Sequence, residues 1–63
     1  MKYRLEVWVH GDPRAIYHDN DIDSLVQTYK EDWGDERGTH IIYVYEDGHE
    51  LSTDKEYEFG FYD

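Results

Sequence analysis

Residues 20–34, with the sequence NDIDSLVQTYKEDWG, carry the pattern that decides the fold. Their apolar side chains recur at the helical period of about 3.6 residues. They form one stripe, which consists of Ile22, Leu25, Val26, Tyr29 and Trp33. We expect Asn20 to cap the N-terminus of this helix and Gly34 to end it in a left-handed conformation. Because the stripe ends in two large aromatic side chains, it needs a broad apolar surface opposite, and we expect strands to provide that surface.

The residues before this helix predict a hairpin of two strands. Residues 2–10 alternate between apolar and polar side chains, which is typical of a strand with one face in the core. The apolar face consists of Tyr3, Leu5, Val7 and Val9, and the other face consists of Lys2, Arg4, Glu6, Trp8 and His10. The turn is predicted at Gly11-Asp12-Pro13, and the second strand at residues 14–18.

The residues after the helix predict a second pair of strands. A polar connection at residues 35–38 leads to residues 39–46, whose β-branched and aromatic run makes them the strongest predicted strand. Asp47-Gly48 is typical of a tight hairpin turn, because both central positions of a type I′ turn need positive φ. Residues 50–55 are predicted to be irregular. Residues 56–62 alternate acidic and aromatic side chains and are predicted to form the last strand.

These elements predict a single α+β domain at residues 1–63, with the order ββαββ and a single helix packed on one face of a small four-stranded sheet. Two sheet arrangements fit this order. In a grasp-like mixed sheet the first and last strands lie side by side and parallel; in a meander-like sheet the third strand lies beside the first. We favour the grasp-like order, because Lys2 and Arg4 would then neighbour the acidic pair Glu56 and Glu58 across the strands.

Charge is the outlying property of the composition. Sixteen Asp and Glu against six Lys and Arg give a net charge of −10. Such a chain repels nucleic acid and anionic membranes, so we expect neither as a direct partner and expect attraction to basic protein surfaces instead. The N-terminus does not resemble a signal peptide and nothing in the chain looks able to span a membrane, so the expected location is the cytoplasm of a bacterial cell or a virus-infected host.

Catalytic and metal sites are not predicted. The chain has no cysteine, which excludes disulfides and thiolate metal ligands. Asp19, Asp21 and Asp23 resemble the opening of an EF-hand loop, but Ser24 and Lys30 stand where that loop needs glycine and glutamate, so helix capping explains the acids better. The four histidines have no metal-ligand spacing, although two of them, at positions 10 and 18, could approach across the first hairpin. We therefore expect no cofactor and no enzyme.

The acidic distribution is the feature closest to a functional signal. Glu56 and Glu58 would share a strand face at about 7 Å, which is comparable to the spacing of successive phosphates. This predicts an inhibitor, possibly phage-encoded, that occludes a basic nucleic-acid-binding surface of another protein by DNA-like charge. The predicted partner-binding residues are Trp8, Glu46, Asp47, Glu50, Asp54, Glu56, Glu58 and Tyr62.

Three alternatives stay open. The first is an assembly protein that forms a homodimer or joins a complex through a strand edge or a tyrosine-rich face, with Tyr43 and Tyr45 as candidates beside Tyr62. The second is a small metal-binding regulator. The third is an acidic surface that serves only solubility. Trp8 is either packed against a long neighbour such as Arg4 or exposed as an aromatic anchor.

Overall fold

The computed structural model describes residues 1–34 and 40–62. The elements in chain order are β1 (Tyr3–Val9), β2 (Asp12–Asp19), α1 (Ile22–Trp33), β3 (Ile41–Glu46), β4 (His49–Glu50) and α2 (Thr53–Phe59). The predicted α+β class and the order of the first five elements are confirmed. The predicted connection at 35–38 and the first residue of the predicted third strand, Thr39, lie outside the described residues.

All strand pairs in the sheet are antiparallel, and the strand order is β2-β1-β3-β4. The preferred grasp-like order is therefore wrong, and the third strand lies beside the first, with Leu5 opposite Val44 and Val7 opposite Ile42. The physical reason is that the grasp-like order needs a last strand long enough to lie beside β1. β4 has only two residues, and the chain then turns into α2.

The predicted strand at residues 56–62 is wrong, because residues 53–59 form α2. Ser52 caps this helix, with its side chain accepting the N–H of Lys55 at 3.4 Å. Gly60 ends it in the left-handed conformation, with φ 94°. Helix-start and helix-stop residues therefore flank the segment, and they outweigh the alternation of acidic and aromatic side chains that suggested a strand.

Both hairpins close through two residues with positive φ, His10 and Gly11 in the first and Asp47 and Gly48 in the second. The second turn is confirmed where it was predicted. The first lies one residue earlier than predicted, so that β2 already begins at Asp12. Paired positive φ values match the right-handed twist of the flanking strands, which explains why two residues are enough for each turn.

The ends of α1 differ from the prediction in two details. Asp21 caps the helix instead of Asn20, with its side chain accepting the N–H of Asp23 at 3.0 Å. Asn20 accepts the N–H of Lys2 instead, at 2.9 Å. Gly34 is right-handed, with φ −59°, so the predicted left-handed stop is wrong. A Cβ at position 34 would lie 2.5 Å from the carbonyl oxygen of Lys30, so glycine is needed there for close approach.

The core lies on one side of the sheet. Its buried apolar residues come from β1, α1, β3 and the segment after α2, and they are Tyr3, Leu5, Val7, Leu25, Tyr29, Ile42, Val44 and Phe61. The ring of Phe61 packs edge-on against Tyr29, with 5.8 Å between centroids, and Phe59 of α2 meets Tyr3 in the same way at 6.5 Å. Both helices therefore cover the same face of the sheet.

Candidate protein-binding surface

The opposite side of the sheet has no helix packed on it in the described part of the chain. Because side chains alternate along a strand, the residues between the core positions point to this side, and residues opposite each other in the register share it. We call this surface the open face. It consists of Arg4, Glu6 and Trp8 of β1, Ile16 and His18 of β2, Ile41, Tyr43 and Tyr45 of β3, and Glu50 of β4.

Glu6 lies at the centre of the open face and is held from both sides along its own strand. Its Oε2 lies 3.1 Å from Arg4 Nε, and its Oε1 accepts the indole N–H of Trp8 at 3.1 Å. The Glu6 side chain is 16% exposed. Since the carboxylate is already paired with a cation and a donor, the middle of the open face presents no uncompensated charge.

Aromatic rings surround this central carboxylate. Trp8 meets Tyr43 edge to face, with 6.0 Å between centroids and 84° between the ring planes. The guanidinium carbon of Arg4 lies 4.1 Å from the ring centroid of Tyr45, which is a cation–π contact. Trp8 is half-buried by these neighbours. These mutual contacts orient the side chains before any partner arrives, which lowers the entropy that binding would cost.

Two exposed isoleucines extend the apolar area beyond the rings. Ile16 lies opposite Glu6 on the β2 side, and Ile41 lies opposite Trp8 on the β3 side. They are 54% and 59% exposed. Antiparallel sheets with one face in water usually place polar residues on that face. The aliphatic and aromatic side chains found here make the open face resemble an interaction surface more than an ordinary solvated one.

Glu56, which was predicted to be exposed on a polar strand face, is buried, with 4% exposure. β4 ends at Glu50, and the next residue, Leu51, donates its N–H to the Val44 carbonyl oxygen at 2.7 Å but does not accept the Val44 N–H. The Glu56 carboxylate instead accepts the Val44 N–H at 3.2 Å and the Tyr62 hydroxyl at 3.3 Å. Burial raises the pKa of Glu56; these two hydrogen bonds oppose the rise, and the nearby charge of Glu50 adds to it.

Tyr62, another predicted partner-binding residue, belongs to the same internal arrangement. It is half-buried, and its ring lies 4.6 Å from the ring of Tyr57. Burial raises the pKa of Tyr62, and the adjacent Glu56 raises it further. Its hydroxyl is therefore a structural donor to Glu56, and it is not part of the open face.

Glu56 and Glu58 do not lie side by side on the surface, so they do not imitate successive phosphates as the sequence predicted. Glu58 is exposed and forms an ion pair with Lys55 at 3.2 Å, while Glu56 points inward. The expected pairing of these acids with the first strand is also wrong, because Lys2 pairs with Glu46 at 3.5 Å and Arg4 lies beside Glu6. Glu46 additionally accepts the hydroxyl of Tyr3, at 3.4 Å.

The remaining predicted acids follow one another along the chain after β3. They are Asp47 in the turn, Glu50 in β4 and Asp54 in the first turn of α2, and all three are exposed. Of the predicted partner-binding residues, the structure brings only Trp8 and Glu50 onto the open face. Sequence reasoning missed Glu6, Ile16 and Ile41, although the alternation in residues 2–10 had already placed Glu6 beside Trp8.

Metal ligands do not converge anywhere in the described ranges, where no group of three or more His, Asp or Glu side chains could hold an ion. Asp19 accepts the N–H of Asp21 at 2.9 Å and Asp21 in turn caps α1, so the capping interpretation of these acids is confirmed. His10 lies in the first turn, whereas His18 pairs with Arg4 far along the hairpin, so the two histidines do not approach each other. Within residues 1–34 and 40–62, no helix is long and apolar enough to cross a membrane.

Comparison with known proteins assigns no family to the chain. No protein-family model, no curated protein and no solved structure matches it. The chemistry of the open face and the charge around it are therefore the features that bear on function.

Proposed function

We propose that this chain is a small acidic binding module, without catalytic activity, that engages another protein through its open face. The observation that carries the proposal is the set of apolar and aromatic side chains on a sheet face that the described helices leave uncovered. Trp8 and Tyr43 supply the ring area that is enriched at the energetic centres of protein interfaces. Ile16 and Ile41 supply exposed aliphatic area that a partner can bury.

Electrostatics favours a basic partner. The net charge of −10 attracts a positively charged protein over a distance of about 8 Å at physiological salt and accelerates its approach. The apolar open face then slows dissociation, because desolvated aromatic contacts have little dependence on salt. The proposed setting is the cytoplasm of a bacterial cell or of a virus-infected host.

Charge mimicry is the second candidate function. The observation that favours it is the exposure of Asp47, Glu50 and Asp54, which could occupy a basic nucleic-acid-binding surface of another protein. Its weakness is that Glu56 is buried and Glu58 is paired with Lys55, so the two carboxylates that were expected to imitate successive phosphates are not presented together.

The double substitution Ile16→Thr with Ile41→Thr tests the proposal. Threonine keeps the β-branched shape that strands favour and removes apolar area from the open face only. Tyr57→Thr is the matched control, because Tyr57 is also exposed, at 55%, but lies on α2 on the helix side. Isotope-labelled affinity purification from a bacterial lysate should show proteins that the double variant loses and the control retains. Equal retention by both variants would contradict the proposal.

A further inference from the structure

We infer that the occupant of the open face is one amphipathic helix of a partner protein, with basic residues on the side of its apolar stripe that lies towards β4. This inference rests on the proposed function and specifies its partner. Three features carry it: the dimensions of the open face, the position of its charges, and the protection of the neighbouring strand edge.

The dimensions of the open face match one helix. Its three long strands are β2, β1 and β3, and two spacings of about 4.8 Å separate the outer ones by roughly 10 Å. This is close to the diameter of one α-helix with its side chains, which is about 10–12 Å. β1 has seven residues, so at about 3.3 Å each the face is roughly 23 Å long. A helix of about 15 residues has that length.

A second copy of the chain fits less well. The open face measures roughly 10 by 23 Å, which is an area of about 230 Å². In a standard interface between two folded surfaces, each partner buries about 800 Å². Each copy also carries a charge of −10, so two copies repel each other. A helix uses the same small face more fully, because its side chains at positions i, i+3, i+4 and i+7 reach down onto one narrow strip.

The charges of the open face favour a basic flank on one side of that helix. The centre needs no ionic partner, because Glu6 is already held by Arg4 and Trp8. The exposed carboxylate of the open face lies at its β4 edge, where Glu50 is opposite Tyr45, whereas the β2 edge of this face presents Ile16 and His18. A helix lying along β1 would thus have an apolar strip beneath it and an acid beside the flank that lies towards β4.

An extended strand is a poorer occupant at the β2 side of the open face, because that edge of the sheet is protected. The outer edge of β2 begins with Asp12 and Pro13 and ends with Asp19, and its register with β1 shifts between Val7 and Trp8. Charges, proline and bulges are the devices that prevent an edge strand from pairing with another chain. The open face lacks such protection.

The test is a selection from a phage-displayed library of random peptides, each about 15 residues long, on the immobilised full chain. Enriched peptides are synthesised and titrated into the isotope-labelled chain, with backbone amide shifts as the map of the site. The expected peptides have apolar residues at helical spacing and an excess of Lys and Arg, and they shift β1 and β3 amides. Ile16→Thr with Ile41→Thr should weaken their binding about tenfold, and Tyr57→Thr should leave it unchanged.

The opposing outcomes separate the inference from the proposed function. Peptides that map to the open face but have alternating or acidic patterns would overturn the inference and leave the proposed function standing. Failure of the library to yield any peptide for the open face would also overturn the inference, and so would a dimer formed through that face in analytical ultracentrifugation. Peptides that bind only around Asp47 and Asp54, away from the open face, would overturn both.

Discussion

Replacing Glu56 by alanine should destabilise the fold strongly, although the residue is charged and belongs to a helix. The Glu56 carboxylate is 4% exposed and accepts the N–H of Val44 and the hydroxyl of Tyr62. Alanine leaves the buried Val44 N–H without an acceptor, at a cost of about 1–3 kcal/mol. The free energy of unfolding of a domain this size is roughly 3–9 kcal/mol. The melting temperature should therefore fall by about 4–8 °C for each kcal/mol lost.

Glu56→Gln is the matched variant, and it separates the hydrogen bond from the charge. The glutamine side-chain oxygen can still accept the Val44 N–H, and the variant buries no ionisable group. Burial raises the pKa of Glu56 in the folded protein above its ordinary value of 4.5, so the folded state binds the proton more tightly than the unfolded state. The stability that this group contributes is fully present below the unfolded pKa and is lost as pH rises through the folded pKa.

The sign of the pH effect follows from that linkage. Glu56→Gln should gain stability relative to the parent as pH rises from 4 to 7, and Glu56→Ala should be less stable than Glu56→Gln throughout. Urea unfolding followed by circular dichroism at several pH values measures both differences. If alanine and glutamine were equally stable, the carboxylate would not be the acceptor for Val44; if the Gln–parent difference did not grow with pH, burial would not raise the Glu56 pKa.

Three further predictions concern other parts of the fold. Trp33→Phe should cost about 1 kcal/mol in urea unfolding, because the indole N–H donates to the Tyr17 hydroxyl at 3.0 Å; an unchanged midpoint would contradict that bond. Gly60→Ala should cost about 1–2 kcal/mol, since φ at this position is 94°, and a variant that melts like the parent would show that α2 does not need this stop. Added Ca²⁺ or Zn²⁺ should leave the melting temperature unchanged, and a rise reversed by chelator would reveal a metal site.

The elements that were predictable are those whose signals are local. The apolar stripe of α1, the alternation in β1 and the Asp47-Gly48 turn each follow from a few neighbouring residues, and the structure confirms them. The cap of α1 moved by one residue because Asn20 and Asp21 are both good capping residues, and Asn20 is engaged by Lys2 from the distant N-terminus.

The parts that were not predictable depend on contacts between distant segments. α2 is an exception, because its cap residues Ser52 and Gly60 are local signals, which the strand-like alternation of residues 56–62 concealed; β4 also stops after two residues. The burial of Glu56 follows from that same early stop, which leaves the Val44 N–H in need of an acceptor. The acidic pair that suggested phosphate mimicry was therefore lost together with the predicted strand.

The candidate surface was predictable in part. Alternation in residues 2–10 already placed Trp8 on the side opposite the core, and Tyr43 and Tyr45 were named as candidates. Their association required the register between β1 and β3, which no local pattern reveals. Only that register brings Tyr43 beside Glu6 and Ile41 beside Trp8, and so forms one continuous face.

The indole N–H signals of the two tryptophans test the central claim most directly. Trp8 lies on the open face with its N–H donated to Glu6, whereas the N–H of Trp33 is donated to Tyr17 on the helix side of the sheet. When an isotope-labelled sample is titrated with a captured partner protein, the Trp8 signal should shift or broaden and the Trp33 signal should stay in place. A partner that binds while the Trp8 signal remains unchanged would contradict the account.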